Sequence, residues 1–250
     1  MQLHIKFDPA LFFFLPSQSL GGPKKEGVVY RLDRRASLKD IIESLGVPHT
    51  EVGEIRFNGK ETGFEFIPDA DGELIVRPPA EPFRVTEPSF LRPDPIDAIR
   101  FIADVNVIRL GRLMILAGFD VSYSPQYSDK EIADIARDEH RIVLTRDTAL
   151  LKRKAIVFAR RVRSNLPYEQ LTEVVQFFGL KPTGAFFSRC SQCNCRLETV
   201  SKESVMHLLE PKTKQYYDLF FQCPQCCRVF WKGSHYDRIR STFLSLGMLV

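Results

Sequence analysis

The sequence from Phe101 to Asp147 contains two short apolar runs that each end in an aspartate: Phe101-Ile102-Ala103-Asp104 and Ile142-Val143-Leu144-Thr145-Arg146-Asp147. Helix-patterned segments separate the runs, and this alternation predicts a parallel sheet with helices on both faces. The carboxyl ends of parallel strands share one edge, and ligands bind there. Acids from separate parts of the chain could therefore meet and hold the divalent metal that phosphodiester chemistry requires.

Two candidate site residues stand at these strand ends. Asp104 follows an apolar strand in which packing needs no carboxylate, so it is a site candidate, although it could also cap the next helix. Asn106 could orient a water molecule or cap the same helix. Asp147 could likewise cap a short helix, and Thr145 could donate a hydrogen bond behind the site.

A third acid, Asp129, opens the helix between the two runs. Ser128 and Glu131 have the S-x-x-E spacing of a capping box, which explains Glu131 without any site. Asp129 lies in the first turn, where the helix dipole favours an acid for structural reasons alone. Both roles, helix stabilisation and metal binding, therefore stay open for Asp129.

The length and composition point to a multidomain globular protein. The chain has 250 residues, which predicts two or three modules, and 44% of them are hydrophobic and 26% charged. No apolar run reaches the ~18 residues of a membrane span, and no signal peptide is evident. We expect a cytoplasmic protein without a membrane partner. Its six cysteines are clustered, which in such a chain indicates metal rather than disulfides.

The net charge of +4 is unevenly distributed along the chain. Residues 1–82 carry a net charge of −3, residues 83–182 of +3 and residues 183–250 of +4. The basic excess in the last two thirds indicates an anionic partner there. The densest run, residues 152–163, contains six basic side chains and no acid, which favours phosphate contacts over a merely solvated face.

Residues 1–82 show the pattern of a β-grasp domain. Short strands surround one helix that Ser37 would cap, with turns at Asn58-Gly59 and Asp71-Gly72. The segment resembles ubiquitin-like sulfur carriers, which act through a free C-terminal Gly-Gly. Here the last strand runs into Pro78-Pro79 and the chain continues. We therefore expect a docking role towards a protein partner, or a structural cap on the next domain.

The segment after the β-grasp domain is rich in proline. Six prolines between residues 78 and 95 favour extended backbone with few ladder hydrogen bonds. The pattern predicts a semi-rigid Pro-rich linker at residues 83–98 and an α/β domain at residues 99–182. The apolar run at residues 155–159 predicts the last strand of that domain.

Two C-x-x-C pairs predict a zinc ribbon within residues 183–250. Cys190 and Cys193 form one pair and Cys223 and Cys226 the other, and together they supply four soft ligands for tetrahedral Zn²⁺. Four cysteine ligands leave no open position, so the zinc should be structural. Cys227, next to Cys226, leaves the fourth ligand ambiguous. A redox role for either pair lacks the expected helix-start context.

The segment from Phe230 to Arg240 mixes aromatic and basic residues. Bases stack on aromatic side chains in the recognition of single-stranded nucleic acid, which makes this segment a candidate contact. The plainer interpretation places Trp231 in the core of the ribbon. Ser234 is a good N-cap for a final helix.

The order of the motifs resembles one known family. The pattern F-I-A-D-V-N, R-L-G-R-L-x-x-L-A-G-F-D, S-D-K-E-I-A-x-x-A and R-I-V-L-T-R-D, followed by the cysteine pairs, resembles PIN-like ribonucleases. More narrowly, it is similar to the Mut-seven-C RNase family, whose members commonly carry an N-terminal ubiquitin-like domain and end in a zinc ribbon. The resemblance covers nearly the whole chain. It implies an α/β fold with a PIN-like parallel sheet flanked by helices, preceded by a β-grasp domain.

The resemblance also implies metal-dependent cleavage of RNA, single-stranded or structured. Asp104, Asp129 and Asp147 match the family's acidic positions and would hold Mg²⁺ or Mn²⁺. The alternative is an RNA- or ribosome-binding adaptor with an inactive site, and a sulfur-transfer partner is a third hypothesis. The residues expected to contact RNA lie near the acids, on the basic run and on the last helix: Arg109, Arg112, Arg146, Lys152, Arg153, Arg163 and Arg238.

Overall fold

The computed structural model of the protein describes residues 1–16, 27–181 and 184–249. In this part of the chain a five-stranded, a four-stranded and a three-stranded sheet follow one another. They correspond to the predicted β-grasp domain, α/β domain and ribbon, which confirms the predicted fold class. None of the described helices is long and apolar enough to cross a membrane.

The N-terminal unit is a five-stranded mixed sheet packed on one helix. Its elements are β1 (Gln2–Phe7), β2 (Val28–Arg31), α1 (Leu38–Ser44), β3 (Glu54–Phe57), β4 (Lys60–Glu61) and β5 (Gly72–Arg77). The strand order is β2-β1-β5-β3-β4, with the central pair β1 and β5 parallel. The Ser37 side chain accepts a hydrogen bond from the Asp40 amide and caps α1, as predicted. The Asn58-Gly59 turn has two positive φ angles, 49° and 79°, which suit a tight hairpin.

The central unit is a four-stranded parallel sheet with helices on both faces. Its elements are β6 (Arg100–Ala103), α2 (Ile108–Leu116), β7 (Asp120–Tyr123), α3 (Asp129–Asp138), β8 (Ile142–Thr145), α4 (Thr148–Leu151), β9 (Ala159–Arg161) and α5 (Pro167–Phe178). The strand order is β7-β6-β8-β9. Helices α2 and α5 bury their apolar residues on one face of the sheet, and α3 and α4 on the other. Because β6 and β8 are neighbours, the residues that follow them meet at one edge.

The last strand of this sheet is not where the apolar pattern predicts it. The strand lies at Ala159–Arg161, while Ile156 and Phe158 are buried in the loop before it. Arg160 can occupy a buried strand position because Glu51 and Glu173 pair with its guanidinium. Since neither acid is a near neighbour of Arg160 and Glu51 is 109 residues away, no local pattern marks this strand.

The C-terminal part contains the ribbon and a final helix. Its elements are β10 (Glu198–Val200), α6 (Lys202–Val205), α7 (Pro211–Tyr216), β11 (Phe220–Gln222), β12 (Val229–Trp231) and α8 (Ser234–Ser245). The three strands pair antiparallel in the order β10-β11-β12. Helix α8 returns to the central sheet, where Ile239 and Phe243 join the same core as Leu110 and Met114 of α2. The ribbon is thus held at both ends by the central unit.

The Pro-rich segment, residues 83–98, connects the first two units and packs against both. Phe83, Val85 and Ile96 are buried in the core of the central unit, and Leu91 in the core of the N-terminal unit. The Phe83 amide donates to the Phe177 carbonyl at 2.7 Å. The segment makes few ladder hydrogen bonds, as its prolines require, yet its apolar side chains fix it in place.

Candidate active site and metal centre

Asp104 lies at the carboxyl end of β6, is only 5% exposed, and is held by three hydrogen-bond donors. Its Oδ1 accepts from the Val105 amide at 2.6 Å and caps the short 3₁₀ turn Val105–Val107. Its Oδ2 accepts from Thr145 Oγ1 and from Asn106 Nδ2, each at 2.6 Å. Two of the three donors are side chains that a helix cap does not need.

Asp147 is tied to Asp104 through Thr145. The Thr145 hydroxyl donates to Asp104 and accepts from the Asp147 amide at 2.9 Å. Asn106 closes the ring, because its Nδ2 lies 3.3 Å from Thr145 Oγ1 and its Oδ1 accepts from the Arg146 amide at 3.0 Å. We call these four residues, Asp104, Asn106, Thr145 and Asp147, the acidic network.

Both aspartates also act as caps, so their structural and chemical roles coincide. Asp147 Oδ1 accepts from the Ala149 amide at 2.7 Å at the start of α4. A carboxylate oxygen can accept two hydrogen bonds. In the described chain Asp104 Oδ1 and Asp147 Oδ1 accept one each, so lone pairs remain for a ligand. Hard oxygen donors of this kind fit Mg²⁺ or Mn²⁺.

Asp129 lies outside the acidic network. It stands in the first turn of α3, its side chain is 43% exposed, and its carboxylate is 3.7 Å from the Arg153 guanidinium. Ser128 and Glu131 form the predicted capping box. Among the described residues, no three acids bring their oxygens together as a metal cluster. The structure therefore joins two of the three predicted acids and leaves the third on a surface ion pair.

Asn106 and Thr145 complete the network, although neither is among the predicted metal ligands. Thr145 is fully buried, and a hydroxyl in such a place needs a partner. In the sequence, Thr145 is recognisable as a polar residue in an otherwise apolar strand, two residues before Asp147. Asn106 gave a weaker signal, because an asparagine after a strand is also an ordinary cap.

Four of the predicted RNA-contacting residues face solvent or adjoin the acidic network. Arg109 and Arg112 are exposed on α2, which begins shortly after Asp104. Arg112 Nε donates to Tyr123 Oη at 3.2 Å. Arg146 reaches the network through its backbone, while its guanidinium donates to the Ser164 carbonyl. Arg238 is exposed on α8.

The other three have partners within the protein. Lys152 Nζ donates to the Glu43 carbonyl at 2.7 Å, and Arg163 Nη2 donates to the Ala10 carbonyl at 3.3 Å. Both acceptors belong to the N-terminal unit, so much of the basic run is directed at that unit. Arg153 pairs with Asp129.

The four predicted zinc ligands come together at one point. The Sγ atoms of Cys190, Cys193, Cys223 and Cys226 all lie within 4.8 Å of one another. All six cysteines are free thiols. Four sulfur donors at this spacing fit a tetrahedral Zn²⁺, and they leave no open position for catalysis.

The backbone around the two cysteine pairs is the same and settles which cysteine is the fourth ligand. The residue after each pair, Asn194 or Cys227, has a left-handed φ of 61° or 57°. Its amide donates at 2.9 Å to the carbonyl of the first cysteine of its pair, Cys190 or Cys223. Cys227 is therefore the counterpart of Asn194 in the turn, and Cys226 carries the ligand sulfur.

The environment of the thiols also suits a bound cation. The Arg228 amide donates to the Cys226 sulfur and lowers the pKa of Cys226 to about 7. Burial raises the pKa values of Cys190 and Cys193. Four neighbouring thiolates repel one another without a cation, so zinc binding and proton release from these thiols are coupled.

The first cysteine pair is attached to the edge strand β7. Tyr123 Oη donates to the Ser191 carbonyl at 2.7 Å, and Asn194 Nδ2 donates to Asp120 Oδ1 at 2.8 Å. Tyr123 is the partner of Ala103 in the sheet, and Ala103 precedes Asp104. The ribbon is therefore held next to the carboxyl edge of the parallel sheet, which carries the acidic network.

Two family models match the chain. Residues 1–84 match the Mut7-C ubiquitin family, and residues 99–243 match the Mut7-C RNAse domain. The second match covers more than half of the 250 residues. The chain belongs to the Mut7-C RNAse domain family. This confirms the resemblance drawn from the motifs. No curated protein and no solved structure matches the chain.

The match to the RNAse domain includes the ribbon and nearly all of α8. The packing explains this extent, because Ile239 and Phe243 complete the core beneath the sheet. A truncation before the ribbon would also remove α8, which follows it in the chain, and would expose that core. The parallel sheet and the ribbon thus behave as one packed body.

The ubiquitin-like domain docks on β9 of the RNAse domain through buried polar groups. Glu51, 2% exposed, accepts from the Arg161 amide at 2.6 Å and from Arg160 Nη1 at 3.3 Å. Burial raises the pKa of Glu51, and the charge of Arg160 only partly opposes this. From the Pro-rich segment, Arg92 donates to the Val52 carbonyl at 2.9 Å, and burial lowers the pKa of Arg92 to about 10. By accepting from the Arg161 amide, Glu51 satisfies a backbone donor on the edge strand β9.

Proposed function

We propose that the protein is a ribonuclease that uses a divalent metal ion, Mg²⁺ or Mn²⁺, at the acidic network. The observation that carries the proposal is that the Thr145 hydroxyl bonds both the Asp104 carboxylate and the Asp147 backbone amide at the carboxyl edge of the sheet. Ligands bind at this edge in parallel α/β sheets. Membership of the Mut7-C RNAse domain family supports nuclease activity on RNA.

Each residue of the network has a role in the proposed reaction. Asp104 and Asp147 would hold the metal through their free carboxylate lone pairs. Thr145 and Asn106 would fix the Asp104 carboxylate in one orientation, so that little reorganisation is needed when RNA binds. A bound metal ion supplies an activated water and stabilises the negative charge that develops on the phosphate.

Asp129 is proposed as a third, weaker contributor. It lies at the N-terminal end of α3 and already pairs with Arg153 at 3.7 Å. To bind metal, its side chain would have to leave this exposed pair, which costs little because such pairs contribute ~1 kcal/mol or less. Removal of Asp129 should therefore affect cleavage less than removal of Asp104.

The phosphate backbone of the RNA would meet the exposed cations on the same side. Arg109 and Arg112 are exposed on α2, close in the chain to Asp104. Arg146 follows β8 directly. The substrate would be a single-stranded or structured RNA in the cytoplasm, where six free cysteines and a zinc site persist without oxidation.

The test is the cleavage of end-labelled RNA by the zinc-loaded protein with and without Mn²⁺. Mn²⁺ is omitted rather than chelated, because a chelator would also remove the structural zinc. We expect Asp104→Asn to abolish cleavage while zinc content stays at the wild-type value. Asp134→Asn is the matched control, since Asp134 sits on the outer part of α3 in a surface pair with Arg137. Equal products from Asp104→Asn and the wild type would contradict the proposal.

The second candidate function is an RNA-binding adaptor without catalysis. The observation in its favour is that Asp104 and Asp147 both cap turns, and Asp129 is paired with Arg153, so every acid already has a structural role. The same assay separates the two. An adaptor would bind RNA and give no products at any Mn²⁺ concentration.

A further inference from the structure

A cavity of about 500 Å³ lies between the ribbon, the first cysteine pair and the start of α8. This volume is within the range of small-ligand sites. Five aromatic side chains line it: Phe187, Tyr217, Phe230, Trp231 and Tyr236. Polar groups stand among them, including Ser191, Ser234 and His235. We call this cavity the aromatic pocket.

The rings of the aromatic pocket do not fill it by stacking on one another. Phe187 and Tyr236 meet edge to face, with centroids 4.9 Å apart and an angle of 81° between the rings. Tyr217 and Trp231 are 6.5 Å apart and tilted by 47°. Trp231 packs against the ribbon core, which agrees with the plainer interpretation of this residue, and it is half-buried. The lining ring pairs that the structure describes are thus edge-to-face or tilted and not stacked face to face, a lining against which a flat ligand could pack.

The surroundings of the aromatic pocket are basic. Residues 228–240 contain four basic side chains and one acid. The Lys232 ammonium lies 5.6 Å from the centroid of the Tyr236 ring and is exposed. Arg228, Arg238 and Arg240 are also exposed. Flat aromatic walls with cations around them match a polyanion that carries flat rings, which is the chemistry of single-stranded nucleic acid.

The aromatic pocket is connected to the acidic network through Tyr123. Ser191 lines the pocket, and its carbonyl accepts the Tyr123 hydroxyl at 2.7 Å. Tyr123 ends β7 beside Ala103, the residue before Asp104. The Arg112 guanidinium lies 5.6 Å from the centroid of the Tyr123 ring, which places a cation between the two sites.

We propose that the aromatic pocket is a base-binding subsite, in which an unpaired base of a single-stranded RNA stacks while the strand runs past Tyr123 and Arg112 to the acidic network. This rests on the proposed ribonuclease function and adds to it a preference for unpaired RNA. Duplex RNA cannot supply a base, because its bases are stacked and paired inside the helix.

The chain provides its own reporter, because Trp231 is its one tryptophan. The experiment titrates the zinc-loaded Asp104→Asn protein, which should not cleave, with a short single-stranded RNA of mixed sequence. Trp231 fluorescence reports occupation of the pocket, and polarisation of labelled RNA reports overall binding. We expect quenching that saturates together with polarisation, and no quenching by duplex RNA of the same length.

Tyr236→Leu removes one stacking face and should weaken binding by about 10-fold, the effect of one lost base stack. Tyr236→Phe retains the ring and should bind as the parent protein does. Tyr216→Leu is the matched control, since Tyr216 is 69% exposed on α7 and does not line the pocket. If Tyr236→Leu loses zinc or its fold, Lys232→Gln replaces it, with an expected weakening of RNA binding that high salt removes.

The subsite proposal would be contradicted by RNA binding without quenching, by equal quenching with duplex RNA, or by an unchanged affinity of Tyr236→Leu. It would also be contradicted by a tryptophan signal that changes with protein concentration alone, because such a signal indicates that a second copy of the protein occupies the pocket. Wild-type cleavage in Mn²⁺ is measured in parallel. Cleavage without quenching removes the subsite and leaves the ribonuclease. Quenching without cleavage removes the ribonuclease and leaves an RNA-binding pocket.

Discussion

Thr145, which is fully buried, donates a hydrogen bond of 2.6 Å to the Asp104 carboxylate and belongs to the neighbouring strand. The same hydroxyl accepts from the Asp147 amide. One hydroxyl oxygen thus bonds both the Asp104 carboxylate and the backbone amide of Asp147 at the edge of the sheet. The Asp104 carboxylate could not shift without breaking its hydrogen bond to this buried hydroxyl, and a buried polar group left without a partner destabilises the fold.

Thr145→Val should therefore impair the site without changing its acids. The valine has a similar shape but neither donates to Asp104 nor accepts from Asp147. We expect cleavage to fall by about 10–100-fold, the usual effect of losing a group that orients a metal ligand. The Mn²⁺ concentration for half-maximal activity should rise, and a metal titration measures it. Thr145→Ser restores the hydroxyl and should recover most of the activity. An unchanged metal dependence in Thr145→Val would limit Thr145 to a packing role.

The two adjacent cysteines Cys226 and Cys227 should behave in opposite ways. Cys226→Ser replaces a ligand sulfur, so we expect loss of zinc and a lower melting temperature. Cys227 occupies a left-handed turn position with φ 57°, where glycine is free of strain. Cys227→Gly should keep the zinc and stabilise the protein by up to ~1 kcal/mol. Zinc content and thermal unfolding of both variants provide the measurement. Zinc loss from Cys227→Gly would reverse our assignment of the fourth ligand.

Asp120 should make stability depend on pH, because it joins β7 to the ribbon. Burial alone would raise the pKa of Asp120, but the hydrogen bond and charge of Arg141, aided by Asn194 and Arg189, hold it below 3.8. A lowered pKa means that Asp120 stabilises the fold above pH 3.8 and that this contribution disappears as the pH falls through the folded-state value.

Asp120→Asn should therefore be less stable than the wild type by ~1.5–3 kcal/mol at neutral pH, the usual value for a hydrogen bond to a charged group. The difference between the two melting temperatures should shrink as the pH drops below 3.8. Thermal unfolding across this range measures it. Asp138→Asn is the control, because Asp138 is exposed and bonded to its neighbour Arg137. A difference that stays constant with pH would mean that packing, rather than the charge, is what Asp120 supplies.

The sequence predicted features that depend on local pattern. The C-x-x-C pairs need only short stretches, and the structure brings their four sulfurs together. Asp104 lies at the end of its strand, as the local pattern predicts, while its role at a catalytic site stays a prediction. The local sequence pattern did not predict features that depend on a contact with a residue far away in the chain. Arg160 can be buried in a strand because it pairs with Glu51, and Glu51 lies more than a hundred positions away in the sequence. The Asp129 carboxylate lies 3.7 Å from the Arg153 guanidinium and outside the acidic network. The part of Asp129 in metal binding, which the family pattern implies, therefore stays a prediction.

The sequence of the basic run likewise does not show which of its side chains contact another domain. This leads to a prediction that distinguishes a lysine at the domain interface from an arginine exposed to solvent. Lys152 donates to the Glu43 carbonyl of the ubiquitin-like domain, whereas Arg112 is exposed near the acidic network. Lys152→Met keeps the apolar stem and removes the charge. We expect RNA affinity to stay near the wild-type value while amide hydrogen exchange in α1 becomes faster, because that helix has lost a tether.

Arg112→Ala should do the reverse. Exchange in α1 should be unchanged, and RNA binding should weaken with a salt dependence reduced by about one phosphate contact. Polarisation at several salt concentrations, together with hydrogen exchange on both proteins, gives the comparison. Since Arg112 also stacks on Tyr123, Arg112→Lys is the control that keeps the charge and alters the stack. If Lys152→Met weakened RNA binding as much as Arg112→Ala does, the lysine would serve RNA as well as the domain interface, and the division of the basic run drawn from the contacts would be wrong.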